Sequence, residues 1–206
     1  MGLKNPYTFQ ANPALIVISG PSGVGKDAVI QNMKARGVPF HFVVTATDRP
    51  PRPGEAHGVD YFFYSTEAFE AMIENEELLE HAIVYGQHKG VPKQQVRDAL
   101  ASGKDVVMRL DVQGAMTIRR MAPDAVLVFL APSSEEELEQ RMLKRGGDTA
   151  EQVRQRLAAA REELDYLPMF DYLVFNRDCE LDQAVDDVLA IIQAEHSRVD
   201  QREVAL

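Results

Sequence analysis

A glycine-rich run that ends in a lysine has the clearest chemistry in this sequence. The residues that fit the pattern G-x-x-x-x-G-K are Gly20, Pro21, Ser22, Gly23, Val24, Gly25 and Lys26. Glycines let the backbone curl so that its N–H groups point at phosphate oxygens, and the lysine that follows reaches the β- and γ-phosphates of a nucleotide. The spacing predicts a phosphate-binding loop rather than a plain glycine turn. The next residue departs from the pattern, because Asp27 stands where Ser or Thr is usual.

Two groups of arginines are further candidates for binding phosphate. Arg49 and Arg52 lie three residues apart on a proline-rich segment, and the planar donor fork of arginine matches phosphate oxygens. The second group flanks a Gly-Gly break and comprises Arg141, Arg145 and Arg156. Glycine-hinged segments that carry arginines surround developing charge in phosphoryl-transfer enzymes. The alternative for each arginine is a solvated charge or an ion pair with a nearby acid.

Glu80 and Asp111 are the candidates for binding a base. Guanine carries N1–H and an amino group on one edge, and carboxylates accept hydrogen bonds from both, whereas adenine presents an acceptor at N1. Each buried polar group left unpaired costs about 1–3 kcal/mol, so a site of this kind rejects the wrong base. Taken alone, Glu80 is better interpreted as a charge on a solvated strand face.

Composition limits the classes of function. The chain has 206 residues and a formal net charge of −10, so we expect no nucleic-acid partner. Cys179 is the only cysteine, which excludes an internal disulfide and is consistent with a reducing compartment. The five histidines show no metal-ligand spacing. No apolar stretch reaches membrane-spanning length, and the first residues lack the apolar core of a signal peptide. We therefore expect a cytoplasmic protein with no membrane partner.

Alternating strands and helices position these residues. Apolar runs predict core strands at 14–19, 40–45, 106–111, 126–130 and 172–176. Helical patterns occur at 28–34, 65–73, 93–102, 135–144, 150–164 and 181–194. The alternation predicts an α/β fold with a five-stranded parallel sheet flanked by helices on both faces.

The spacing of the strands also predicts the domain organisation. The second and third core strands are separated by about 60 residues, far more than a crossover needs. We therefore expect an inserted substrate-binding subdomain at 46–102, within a nucleotide-binding core formed by 13–45 and 103–198. The arginine-bearing segment 141–157 is expected to be a small lid. Residues 1–12 and 199–206 are expected to be loose termini.

With these motifs in view, the sequence resembles the guanylate kinase family over residues 16–194. The segments that carry the resemblance are the glycine-rich loop, Arg49-Pro50-Pro51-Arg52-Pro53-Gly54-Glu55, Gly58-Val59-Asp60-Tyr61, Leu79-Glu80, Leu110-Asp111-Val112-Gln113-Gly114, Arg145-Gly146 and Asn176. The arginine segment followed by Gly-x-Asp-Tyr is highly specific, whereas many unrelated enzymes share a phosphate loop.

The resemblance implies a P-loop kinase that transfers the γ-phosphoryl group of ATP to GMP, with Mg²⁺ as cofactor. For ATP binding it implies Gly20, Pro21, Ser22, Gly23, Val24, Gly25, Lys26, Asp27 and Asn176. For GMP binding it implies Thr45, Arg49, Arg52, Tyr61, Glu80, Lys89 and Asp111, of which Glu80 and Asp111 hold guanine. For catalysis it implies Lys26, Arg141, Arg145 and Arg156. The expected partners are small-molecule ATP and GMP, and the protein is expected to be a monomer or homodimer.

The sequence departs from the family pattern at four places. These are Asp48, the segment Lys89-Gly90-Val91, Asp27 in place of Ser or Thr, and Arg109 in place of an Asp. Plant organellar members of the family look similar at several of these positions. A carboxylate about 5 Å from a phosphate charge is repelled by roughly 3 kcal/mol at an effective dielectric near 20. We therefore expect Asp27 to be shielded by Mg²⁺, directly or through water, or by pairing with Arg109.

Two other functions are compatible with parts of the sequence. A ribose 1,5-bisphosphate phosphokinase also carries Gly-Lys-Asp in its loop, although residues 49–61 speak against it. A non-catalytic guanylate-kinase-like interaction domain has the same fold but usually lacks an intact phosphate loop. Both rank below GMP phosphorylation.

Overall fold

Five parallel strands form the central sheet of the computed structural model, which describes residues 10–84, 86–145 and 149–206. The strands in chain order are β1 (Leu15–Ser19), β2 (His41–Phe42), β3 (Ala46–Thr47), β4 (Phe62–Phe63), β5 (Leu78–Val84), β6 (Gln87–Pro92), β7 (Val106–Arg109), β8 (Val126–Ala131) and β9 (Tyr172–Phe175). The central sheet has the order β2-β7-β1-β8-β9, and every pairing in it is parallel. The predicted five-stranded parallel sheet is confirmed.

Seven α-helices accompany the strands in the described ranges. They are α1 (Lys26–Ala35), α2 (Thr66–Glu74), α3 (Lys93–Ala101), α4 (Val112–Met121), α5 (Glu135–Arg145), α6 (Ala150–Leu164) and α7 (Leu181–His196). A short 3₁₀ helix covers Leu167–Met169. Within the described ranges, no helix has both the length and the apolar character that crossing a membrane requires.

The core lies on both faces of the central sheet. Every residue of β1 is buried, and its alternate side chains point to opposite faces because strand periodicity is two. Ile16 and Ile18 pack with residues of α1 and α7 on one face. Leu15 and Val17 pack with residues of α3 and α4 on the other. This burial explains why β1 reads as a continuous apolar run rather than an alternating one.

A second sheet lies in the segment predicted as an insertion. Its order is β4-β3-β6-β5, and β5 and β6 form an antiparallel hairpin. Phe69 and Met72 of α2 pack against Ala46 and Leu78 to form a small core of its own. Val96 of α3, from the same segment, instead packs in the core of the central sheet. The domain boundaries therefore stay a prediction.

The C-terminal tail contacts the body of the protein, which the expectation of a loose terminus at 199–206 did not anticipate. Asn12 donates from its backbone N–H to the Gln201 side chain at 2.9 Å and from its side chain to the Arg202 carbonyl at 3.1 Å. Val204 and Leu206 are partly buried against the core of the central sheet. The tail forms neither helix nor strand, but its apolar side chains cover the sheet.

Candidate active site

The glycine-rich loop joins β1 to α1 at the carboxyl end of the central sheet. Gly20 has φ +134° and Gly25 has φ +99°, values that L-residues with a side chain rarely adopt. A Cβ at Gly20 would lie 2.1 Å from the Leu130 carbonyl oxygen, and one at Gly25 would lie 2.4 Å from the Asn176 amide nitrogen. The tight packing behind the loop therefore requires glycine at both positions.

Lys26 is the first residue of α1 and is partly buried. Its ammonium donates to the carbonyl oxygen of Gly20 and, at 3.0 Å, to that of Pro21. Burial lowers the pKa of Lys26 to about 8, although nearby carboxylates, of which Glu163 acts most strongly, raise it. Lys26 thus lies where the loop, the helix N-terminus and several charges meet.

One cavity of about 780 Å³ collects most of the predicted site residues. Those that line it are Gly20, Ser22, Gly23, Gly25, Lys26, Asp27, Thr45, Glu80, Lys89, Asp111, Arg141 and Arg156. It opens at the carboxyl ends of the parallel strands, which is where ligands bind in such sheets. The predicted phosphate-binding and base-binding residues therefore share one space.

Glu80 and Asp111 lie close together in this cavity. Asp111 is the N-cap of α4 and accepts a hydrogen bond of 2.8 Å from the Gly114 N–H. A Cβ at Gly114 would lie 3.3 Å from an Asp111 oxygen and 3.4 Å from the Glu80 carboxyl carbon, so both carboxyl groups flank the first turn of α4. Burial, with the Asp111 charge as a second cause, raises the pKa of Glu80 to about 7. A ligand with two hydrogen-bond donors fits this pair.

The proline-rich segment holds Arg49 in an ion pair. Its guanidinium donates two hydrogen bonds of 2.6 Å to the Glu55 carboxylate and lies 4.8 Å from the ring centre of Tyr61. Glu55 also accepts a hydrogen bond of 2.7 Å from the Arg52 backbone N–H. Its hydrogen bonds with Arg49 are the main reason that the pKa of Glu55 is lowered to about 2. Arg49, Arg52 and Tyr61 do not line the main cavity. Tyr61 lines a neighbouring one of about 330 Å³, so their contact with phosphate stays a prediction.

Two arginines of the second group, Arg141 and Arg156, contact the glycine-rich loop. Arg141 donates to the Val24 carbonyl at 3.1 Å and to the Asn176 carbonyl at 2.6 Å, and pairs with Glu137. Arg156 donates a hydrogen bond of 2.7 Å to the Ser22 hydroxyl. Arg145 is the last residue of α5, but its side chain lies outside the described residues. The Gly-Gly break at 146–147 and residue 148, inside the predicted lid, also lie outside them.

Asn176 supports the loop from behind. Its side-chain amide is buried and donates a hydrogen bond of 2.8 Å to the Val24 carbonyl oxygen. Val24 is itself buried, and neither Val24 nor Pro21 lines the main cavity. The contact of Asn176 with adenine therefore stays a prediction, as do the direct contacts of Pro21 and Val24 with ATP.

Asp27 contacts Arg109, one of the two arrangements expected for it. The Arg109 guanidinium donates to the Asp27 carboxylate, and the Asp27 side chain remains 72% exposed. Within the described residues, no group of three or more His, Cys, Asp or Glu is placed to hold a metal ion. Mg²⁺ usually takes one or two carboxylates together with substrate phosphates and water. The accessible Asp27 carboxylate fits that role.

Glu163 is a cavity residue that the sequence analysis missed. It lies on α6 and lines the main cavity, and none of the described residues donates a hydrogen bond to its buried Oε2 atom. The helix buries Val153, Leu157 and Ala160, and Glu163 continues that face by its spacing. An acidic residue on the apolar face of a helix was the available signal.

Comparisons with known proteins agree with one another. The sequence model of the guanylate kinase family matches residues 12–195. Guanylate kinase 2, chloroplastic/mitochondrial, from Oryza sativa subsp. japonica is 50% identical over 202 residues, 98% of this chain and 71% of that protein. A guanylate kinase from Halalkalibacterium halodurans is 46% identical over 184 residues, 89% of either chain. The crystal structure of guanylate kinase from Anaplasma phagocytophilum has a TM-score of 0.70 and 28% identity, covering 92% of this chain and 89% of that one.

Proposed function

The chain belongs to the guanylate kinase family, and from that premise we propose that its cavity transfers the γ-phosphoryl group of ATP to GMP, giving ADP and GDP. The observation that carries the proposal is the meeting of Lys26 and its loop with Glu80 and Asp111 in one cavity. A triphosphate at the loop and a guanine at the carboxylates would face each other across it. The protein is a P-loop kinase in fold as well as in sequence.

At the ATP end, catalysis consists of positioning and charge neutralisation. Loop N–H groups and Lys26 hold the phosphates, and Arg141 and Arg156 neutralise the charge of the transferring group. Asp27 would hold Mg²⁺, directly or through water, and the ion when bound neutralises phosphate charge. Arg145 is assigned to the transferring group with the other two arginines.

At the GMP end, Glu80 and Asp111 accept hydrogen bonds from guanine. Arg49, Arg52 and Tyr61, with Lys89 and Thr45, are assigned to the GMP phosphate. Arg49 keeps donors in addition to those that Glu55 occupies, since a guanidinium has five. GMP would therefore add to this ion pair or replace it.

The two alternative functions are not favoured. A sugar bisphosphate gives Glu80 and Asp111 no base edge to bind. A scaffold domain has no need of Lys26 and its glycines, which are intact here. Cytoplasmic location and a monomeric or dimeric state stay predictions, and the rice relative is named for chloroplast and mitochondrion.

A coupled ADP-release assay with ATP, Mg²⁺ and a panel of acceptors tests the proposed function. We expect strong turnover with GMP, weaker turnover with dGMP, and little with AMP, CMP, UMP or ribose 1,5-bisphosphate. Val91 pairs with Glu80 across the hairpin and offers no hydroxyl to the base. A GMP-to-AMP ratio of kcat/KM below about 100 would therefore mean weakened base selection. Two results would contradict the proposed function. One is turnover with ribose 1,5-bisphosphate but not with GMP, and the other is the absence of turnover with every acceptor in the panel.

The pH dependence of GMP use should report on Glu80. The raised pKa of about 7 leaves this carboxyl mostly protonated at pH 6 and mostly ionised at pH 8. Only the ionised form accepts from both donors of guanine, so kcat/KM for GMP should rise through about pH 7. The GMP phosphate also titrates near pH 6, so Glu80→Gln serves as control. A rise in Glu80→Gln equal to that of the unmodified enzyme would contradict the assignment.

A double-mutant cycle tests the contact between Asp27 and Arg109. Asp27→Ser leaves the arginine unpaired, and Arg109→Asp places two carboxylates near the phosphates. Each single change breaks the same contact, so the second change has no contact left to break. The double variant should therefore retain a kcat/KM about fivefold higher than the value expected if the two losses multiplied. Purely multiplicative losses would show that the contact has no role in ATP use.

A further inference from the structure

Asp48 is a largely buried acid to which the proposed function gives no role. Its side chain is 9% exposed, and it is one of the four places where the sequence departs from the family pattern. Carboxylates are rarely buried unless they are paired or hydrogen-bonded. The contacts of its two oxygens therefore indicate what this side chain holds in place.

Asp48 follows β3 and connects it to two other elements. Its Oδ1 atom accepts a hydrogen bond of 2.8 Å from the backbone N–H of His88, near the start of β6. Its Oδ2 atom accepts one of 3.3 Å from the hydroxyl of Thr66, the first residue of α2, and lies 4.0 Å from the His88 Nε2 atom. The side chain thus ties the end of β3 to both β6 and α2.

The backbone of His88 is held at both of its polar groups. Thr47 and Lys89 are partners in the antiparallel pairing of β3 with β6, and β3 ends at Thr47. Next to that pair, the Thr47 hydroxyl donates a hydrogen bond of 2.9 Å to the His88 carbonyl oxygen, while Asp48 accepts from the His88 N–H. These two side chains therefore continue the pairing of the strands by one residue.

Lys89, which follows His88 in β6, points into the proposed active site. The His88 ring stacks on Phe69 with 5.2 Å between ring centres, and successive side chains of a strand point to opposite faces. Lys89 lines the main cavity. Its ammonium lies 6.0 Å from the ring centre of Tyr61, the ring that the Arg49 guanidinium approaches to 4.8 Å. Three side chains assigned to the GMP phosphate therefore converge beside Asp48.

We propose that Asp48 is a positioning residue for GMP: with Thr47 it holds the backbone of His88, and so fixes Lys89 near Arg49 before the phosphate binds. The inference rests on the proposed function, since it assumes that Lys89 and Arg49 bind that phosphate. A binding group whose backbone is already fixed loses less freedom when the ligand arrives. Asp48 thus acts on GMP through Lys89 and does not touch the ligand itself.

Binding of GMP and of guanosine, each followed by NMR titration, tests the proposal without turnover. Asp48→Ala removes both acceptors and should weaken GMP binding about tenfold. Guanosine has no phosphate, so its affinity should stay within about twofold. Asp48→Asn keeps an oxygen for the His88 N–H and should bind GMP within about threefold of the unmodified protein.

Three results of these titrations would overturn the proposal. The first is a GMP affinity that Asp48→Ala leaves unchanged. The second is an affinity that falls as far in Asp48→Asn as in Asp48→Ala, because the hydrogen bond to His88 would then not be the cause. The third is equal weakening of GMP and guanosine, because a general disturbance of the site affects both ligands.

Two further variants guard against a loss of folding in Asp48→Ala. Thr47→Val keeps the shape of a buried side chain but removes the hydroxyl that holds His88, and it should weaken GMP binding about threefold with guanosine unchanged. Unchanged GMP binding in Thr47→Val overturns the proposal. The matched control is Glu70→Ala, which removes an exposed carboxylate from α2 and should bind GMP as the unmodified protein does.

A double-mutant cycle tests whether the effect passes through Lys89. Lys89→Met keeps the stem of the side chain and removes its charge, so GMP binding should already be weaker. In that background Asp48→Ala should cost less than about twofold, because no cation is left to position. A tenfold loss from Asp48→Ala in both backgrounds overturns the proposal.

Kinetics separate this inference from the proposed function. In Asp48→Ala the KM for GMP should rise about tenfold while the KM for ATP stays within about twofold, a split that a merely structural role would not produce. Equal rises in both KM values overturn the proposal. If the unmodified protein binds GMP but does not phosphorylate it, the proposed function fails, yet the titrations with GMP and guanosine still decide the role of Asp48.

Discussion

Substitution of Lys26 by methionine is expected to lower kcat/KM for ATP by about a thousandfold. The ammonium is a point charge at the head of α1, next to the loop whose N–H groups are expected to hold phosphate. Methionine keeps much of the side-chain length but neutralises no charge as it develops on the transferring group. Steady-state kinetics with ATP varied and GMP saturating give the measurement.

The control for this substitution is Lys104→Met, which removes an exposed lysine outside the cavity. It should leave kcat/KM within about twofold, since surface substitutions away from a site have small effects. The urea midpoint of both variants should be recorded, because unfolding lowers activity without any role in chemistry. Retention of more than a tenth of the activity by folded Lys26→Met would contradict the role of this lysine.

The Gly20→Ala variant is expected to lose about 3 kcal/mol of unfolding free energy, from backbone strain and overpacking together. The added Cβ would lie 2.1 Å from the Leu130 carbonyl oxygen. That oxygen belongs to β8, which pairs with β1 on one side and β9 on the other, so it has little freedom to move. The residue also has φ +134°, a region that only glycine populates freely. Urea unfolding followed by circular dichroism measures the loss.

Gly37→Ala separates these two causes. Gly37 also has a positive φ, +67°, but a Cβ there would meet no atom within 4 Å. Its substitution should therefore cost about 1 kcal/mol from backbone conformation alone. Equal losses in Gly20→Ala and Gly37→Ala would show that the contact with Leu130 carries no penalty.

Elements with strong local signals were predictable from the sequence. The central strand β1 is a continuous apolar run because it is buried on both faces. Helix α6 spans the predicted residues, and Thr149 and Gln152 form a capping box at its start. The glycines of the loop were recognisable because their conformation excludes other residues.

Two elements were missed for identifiable reasons. Helix α4 contains Gly114, which lowers helix propensity, and Asp111 was interpreted only as a binding residue although it also caps this helix. Strand β6 contains Gly90 and Pro92 and forms because β5 and β3 pair with it on either side. A Cβ at Gly90 would lie 2.8 Å from the Glu80 carbonyl oxygen. Strand β6 therefore forms because of its contacts with neighbouring strands rather than because of its own residue types.

The same contrast between local signals and long-range packing applies to the residues of the candidate site. The predicted site residues that follow a strand or begin a helix line one cavity, because the carboxyl ends of parallel strands meet at one edge. The pair formed by Arg49 and Glu55, the support that Asn176 gives to the loop, and the approach of Glu163 depend on how distant segments pack. Residue type and spacing along the chain do not predict those contacts.

The contact between Asn12 and the C-terminal tail has a consequence for protein engineering. Asn12 precedes the amino end of β1, and it bonds to Gln201 and Arg202, so these two segments adjoin at the end of the sheet opposite the cavity. A fluorescent protein or an affinity tag fused after Leu206 will therefore stand well away from the nucleotides. A short linker that joins the two segments would give a circular permutant, with new ends cut into an exposed turn such as Gly103-Lys104.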